Sequence, residues 1–112
     1  MNGFYAAYMT GKGGVSTLLF AIKDGVVVGV DMGGMKYDGR VEVAEPSKEW
    51  RFSVEYLIPP GVSLITGGSV ATPTRVPLEF SLPANFANGQ VVRIDTPLGP
   101  VNAKVERLRD FE

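Results

Sequence analysis

Three aspartates recur at seven-residue spacing, Asp24, Asp31 and Asp38. Two carboxylates brought together can trade a proton with a substrate or hold a hard cation. Asp24 and Asp38 each precede a glycine, which is the ordinary signature of a turn: the Asp side chain bonds nearby backbone and the glycine takes positive φ. Asp31 lacks that explanation, because it ends an apolar run and is followed by Met32-Gly33-Gly34. A second segment, Gly11-Lys12-Gly13-Gly14-Val15-Ser16-Thr17, has the glycine content of a phosphate-cradling loop. Such a loop needs a further lysine and a helix whose N-terminus holds the phosphates. Here Ser16 takes the lysine's place and Thr17 to Ile22 reads as a strand, so a hairpin turn is expected and a nucleotide site is not. The chain has no cysteine and no histidine. Thiolate nucleophiles, zinc sites built on those ligands and imidazole acid–base chemistry are thereby excluded. Neither a metal nor a cofactor is called for, and the expectation is a protein that is not an enzyme.

The aromatic residues point elsewhere. Trp50, Phe52, Val54, Tyr56 and Ile58 fall at every second position, with Arg51, Ser53 and Glu55 between them. Alternation of this kind puts one apolar face of a strand against an interior and leaves the other in water. That interior either is filled by its own side chains or forms a lumen for an apolar ligand. Tyr5, Tyr8, Trp50, Phe52 and Tyr56 are the candidates to line such a lumen, the phenols among them needing a hydrogen-bond partner if buried. Tyr37 carries the same requirement. Met9, Met32 and Met35 lie close in sequence, and methionine suits adaptable contact surfaces. The Met32–Met35 loop is therefore the candidate for contact with a partner.

Fourteen glycines and eight prolines divide the 112 residues into short runs rich in β-branched and aromatic side chains. The expected strands are Phe4–Thr10, Val15–Lys23, Val26–Asp31, Tyr37–Glu45, Trp50–Ile58, Val62–Thr66, Thr74–Leu82, Gln90–Thr96 and Val101–Leu108. Asp24-Gly25 is a strong two-residue hairpin signal. Pro77 lacks an N–H, so the strand around it must lie at an edge, carry a bulge or break. The connection from Leu82 to Gly89 has room for one helical turn. No longer segment shows a helical apolar period. A single all-β domain over residues 1–112 follows, built as a meander of about eight strands with at most one short helix. A closed antiparallel up-and-down barrel is preferred to a sandwich, since closure removes exposed edges.

The formal net charge is −1, and the eleven Lys and Arg are interleaved with acids. Lys104, Arg107 and Arg109 alternate with Glu106 and Asp110 and read as a solvated face, so no nucleic acid is expected as partner. No apolar stretch is long enough to span a membrane and no secretory leader is visible, so a cytoplasmic protein without membrane contact is expected.

Taken together, Asn2-Gly3-Phe4-Tyr5, the glycine-rich first turn, Lys23-Asp24-Gly25-Val26-Val27-Val28-Gly29-Val30-Asp31 and Tyr37-Asp38-Gly39 form a pattern NGxY…DGxxxGxD…YxG. This resembles the GrlR-like proteins, small regulators whose namesake represses type III secretion genes. Pro60-Gly61, Gly67 and Leu108-Arg109-Asp110 are compatible with it. The resemblance is carried by roughly the first forty residues, the remainder matching mainly in strand spacing. It implies an eight-stranded calycin-like (lipocalin-like) barrel, often dimeric, with a hydrophobic cavity. The namesake binds a transcriptional activator through a run of acidic residues. This chain has no such run; Glu42, Glu45 and Glu49 are separated by apolar or basic residues.

The expectation placed first is a non-catalytic regulatory or interaction protein of the GrlR-like type, acting as a homodimer or on a protein partner. The alternative is a carrier or sensor of a small apolar ligand in the lumen. An unfilled lumen with polar groups converging on it would favour the alternative, and a filled one beside a large apolar exterior would favour the first.

Overall fold

The computed structural model describes residues 1–111. Eight strands follow one another: β1 Gly3–Gly11, β2 Gly14–Lys23, β3 Val26–Asp31, β4 Lys36–Val43, β5 Trp50–Ile58, β6 Thr74–Leu82, β7 Asn88–Thr96 and β8 Gly99–Arg109. They form one antiparallel sheet in the order β6-β5-β4-β3-β2-β1-β8-β7. The all-β class, the meander and the number of strands agree with expectation. Asp24 at φ 50° and Gly25 at φ 81° make the two-residue β2–β3 turn, the conformation that Asp-Gly favours.

The expected closure is corrected. The sheet curls around a core, but no ladder joins β6 to β7, so the architecture is an open half-barrel and not a closed barrel. Pro77 accounts for one side of this seam. It sits in β6, whose partner is β5, with Pro77 opposite Glu55, and its missing N–H weakens the free edge as a template for pairing. The seam is bridged by side chains, with Ile94 of β7 packed against the cluster that holds Leu78 of β6.

One further expectation is corrected. Val62–Thr66 is not a strand. Its backbone groups are spent on local and cross-loop bonds, Leu64 N–H to the Gly68 carbonyl at 2.9 Å and Gly67 N–H to the Leu64 carbonyl at 2.9 Å, so no ladder can form. The whole of 59–73 is a connection over one end of the half-barrel. No helix occurs among the described residues; the Leu82–Gly89 connection holds a turn closed by Phe86 N–H to the Pro83 carbonyl. No helix among them is long and apolar enough to cross a membrane, which is silent about strands.

The interior divides in two. One cluster gathers Tyr5, Ile22, Val27, Val41, Phe52, Leu82, Phe86 and Val105 with their neighbours. The other gathers Tyr56, Ile58, Leu64, Val76 and Leu78. Val54, Phe80 and Ile94 touch both. This division leaves space between the clusters, and that space is the candidate site.

Candidate functional site

The alternating row of β5 does face the interior. Register places Trp50, Phe52, Val54, Tyr56 and Ile58 opposite Leu82, Phe80, Leu78, Val76 and Thr74 of β6, so both strands turn the same apolar set inward. Ala7 and Met9 of β1 and Ala103 and Val105 of β8 make the far wall, Ala7 opposite Val105 and Met9 opposite Ala103. The alanines are decisive here. Small side chains on one wall leave unfilled volume that larger ones would take up. The result is a cavity of about 350 Å³, lined by these strands and by the 59–73 connection. Its wall is overwhelmingly apolar.

The two ends of the half-barrel differ. At the closed end, Phe86 packs edge-on against Trp50, with ring centroids 4.9 Å apart, and lies 6.2 Å from the Tyr5 ring. The Tyr5 hydroxyl donates to the Met1 carbonyl at 2.5 Å and accepts from Arg107 at 3.2 Å. Burial pushes the Tyr5 phenol above its ordinary range, and the Arg107 guanidinium offsets part of that rise. Arg107 also donates to Asp110 and to the Asn2 carbonyl. This end is a plug of rings and hydrogen bonds.

The open end is formed by the β1–β2 and β3–β4 turns and by the 59–73 connection, which crosses it as a strap. Leu64 of the strap is buried and contributes to the lumen wall. Gly13 N–H donates to the Ile65 carbonyl at 2.6 Å. A Cβ on Gly13 would stand 2.6 Å from both the Leu64 carbonyl oxygen and the Gly67 nitrogen, so only glycine lets the strap's backbone come this close. The glycine-rich segment that resembles a phosphate loop is thus a hairpin, with Gly11 paired to Gly14, and its glycines also serve as the seat of the strap.

Asp31 finds its explanation at this mouth. Its Oδ1 accepts from Gly33 N–H at 2.9 Å and Met35 N–H at 3.0 Å, which folds the β3–β4 turn. Its Oδ2 accepts from the Tyr37 hydroxyl at 3.1 Å. Burial, with the Asp31 charge adding to it, pushes the Tyr37 phenol far above its ordinary range, so it remains an O–H donor at neutral pH. Tyr37 lies against Tyr56, with ring centroids 5.5 Å apart. Burial raises the Tyr56 phenol as well, with a hydrogen bond to Thr96 opposing the rise. Asp24 instead bonds Asn2, through both its N–H and its carboxylate. Among the described residues, no three carboxylates gather in a way that would hold a metal ion.

The lumen candidates therefore separate. Phe52 and Tyr56 line the cavity. Tyr5 is interior at 1% exposed but belongs to the closed end, as does Trp50. Tyr8 is on the outer face, 46% exposed, because it alternates with the inward Ala7 and Met9. Met32 and Met35 both stand at the mouth; Met32 is 81% exposed, whereas Met35 packs beside Tyr37 and the second cluster. Tyr37 and Asp31 were singled out by sequence only as a phenol needing a partner and an unexplained carboxylate. Their pairing needed the turn geometry, which spacing does not give.

The outer face has a second feature. Phe4, Leu19, Val28, Val30 and Leu108 are exposed on adjoining strands. They share a shallow hollow whose rim carries Lys36, Arg75 and Arg109 together with Asp38 and Glu55. No protein-family profile, curated protein or solved structure matches the chain.

Proposed function

We propose that this protein binds a small apolar molecule inside the half-barrel and acts as its carrier or sensor, without catalysis. The observation that supports this reading is the unfilled lumen of about 350 Å³ lined by residues of both packed clusters. Protein interiors are otherwise close-packed, and pockets of roughly 300–1,000 Å³ are the usual size for small-molecule sites. The expected result is saturable, one-to-one fluorescence enhancement of N-phenyl-1-naphthylamine, reversed by n-decanol. At decanol a hundredfold above its Kd, unfolding free energy should rise by about 2.7 kcal/mol. A linear, non-saturating response would overturn the reading.

A second reading, an interaction protein that is a homodimer, is supported by the apolar outer face. Its rim carries both signs of charge; Arg75 is paired with Glu55 at 2.9 Å within the chain, and a two-fold contact with a second copy can set Lys36 against Asp38. Exposed apolar patches of this contiguous kind favour association. Val28, 54% exposed near its centre, is the residue to change. Light scattering should give twice the chain mass for the native protein and the single mass for Val28→Asp. A native monomer at 100 μM would sink the homodimer. The regulatory part of the GrlR-like expectation rests on the N-terminal residue pattern alone.

A further inference from the structure

The lumen reading leaves open what kind of molecule fits, and the mouth constrains it. Among the described residues, Asp31 is the only charged one lining the cavity, and no Lys or Arg does so. Of the basic residues at this end, Lys12 sits exposed at the hairpin tip, Lys36 and Arg75 face the outer hollow, and none lines the lumen. The polar side chains that accompany Asp31 are hydroxyls, those of Tyr37, Tyr56, Ser63 and Thr96 among them. The Tyr37 proton is committed to Asp31, so what its oxygen has left to offer a further partner is an acceptor. Asp31 Oδ1 is occupied by two N–H groups, but Oδ2 takes only the phenol and keeps acceptor capacity. The mouth therefore bears one negative charge with free acceptor capacity at Asp31 and Tyr37, beside hydroxyls that can donate or accept, and is set above an apolar tube.

We infer that the lumen selects amphiphiles whose polar head is a neutral or cationic hydrogen-bond donor, such as an alcohol or an alkylammonium, and rejects carboxylates. This rests on the lumen being a ligand site. A carboxylate head seated at the mouth would face Asp31 with no guanidinium or ammonium to hold it, and apolar walls weaken the screening that water provides. An alkylammonium brings the opposite charge and three donors to the same acceptors. Chain length matters little to the distinction, because all such ligands share the tail.

The test is competition against N-phenyl-1-naphthylamine at pH 7.4 and 0.15 M salt, with each competitor below its micelle concentration. Decylammonium and decanoate have equal tails and opposite unit charges, and n-decanol serves as the neutral member. Decylammonium and decanol should displace half the probe at concentrations at least tenfold below that needed for decanoate. In Asp31→Asn the retained carbonyl oxygen can still receive the turn's N–H groups, and decanoate should come within about threefold of decylammonium. If that variant does not fold, the native ranking decides alone. Decanoate equal to or better than decylammonium on the native protein overturns the inference while leaving the lumen reading intact. Absence of saturable probe binding overturns the lumen reading itself, and this inference with it.

Discussion

Replacing Ala103 with phenylalanine is expected to abolish probe binding in the lumen while the half-barrel stays folded. Ala103 is 2% exposed, points inward from β8 opposite Met9, and lines the cavity. Overpacking usually costs about 1–3 kcal/mol because an added group meets a core with no room. At this position the added ring has the lumen to enter. Burying it there returns some of that cost through the hydrophobic effect, at most ~3 kcal/mol. The net change in stability should stay within about 2 kcal/mol, and probe affinity should fall more than tenfold. Val54→Phe attacks the same space from the facing wall and guards against a local failure at Ala103. If both variants fold and both bind the probe as the native protein does, the binding site is not the lumen.

The second large effect concerns stability. Phe52 is 4% exposed and holds the middle of the first cluster. Its ring stacks on Phe80, with centroids 4.9 Å apart, and meets Phe86 edge-on at 5.8 Å. It therefore links β5, β6 and the connection that follows β6. Phe52→Ala removes these contacts and extends an existing void, so the neighbours cannot easily collapse to fill it. Such truncations cost about 3–5 kcal/mol, against a total stability on the order of 5–15 kcal/mol for a domain. With a urea slope of roughly 1–3 kcal/mol/M, the unfolding midpoint should drop by about 2 M. A loss below about 1 kcal/mol would mean that the ring is not part of the packed core.

The residues made some of this legible in advance. Period two on β5, Asp-Gly at the β2–β3 turn and Pro77 on an edge strand are local signals, each tied to a backbone or pleat requirement, and each is matched by the structure. The seam was not legible. Closure depends on whether the last pair of strands meets, a long-range matter that no local pattern encodes. Val62–Thr66 has strand composition, yet its flanking glycines let the backbone satisfy itself, and it became the strap. Tyr8 lies outside because its parity is opposite to that of Ala7, which the chemistry it shares with Tyr5 and Tyr56 does not reveal. The exterior apolar face did have a signal. Val26-Val27-Val28-Gly29-Val30 is apolar at successive positions, which means both faces of that strand are greasy and one of them lies outside. The Asp31–Tyr37 pair required the folded turn, since six residues of separation say nothing about whether a carboxylate and a phenol meet.

The seam has a topological consequence. Every pair of consecutive strands is hydrogen-bonded except β6 and β7, and the one additional ladder joins β1 to β8. The first and last strands therefore lie side by side within the sheet, one strand in from an edge, with Phe4 opposite Arg109 and its ring against Phe111. The break in the sheet lies where the polypeptide is continuous. Read as a circle, the fold is a simple meander whose one discontinuity in hydrogen bonding and one discontinuity in covalent chain fall at different places. A circular permutant joined across the present ends and opened within 83–87 would bring the two into coincidence. Its chain would run from one free edge of the sheet to the other in strict neighbour order, without asking the first and last strands to find each other across the whole length of the molecule.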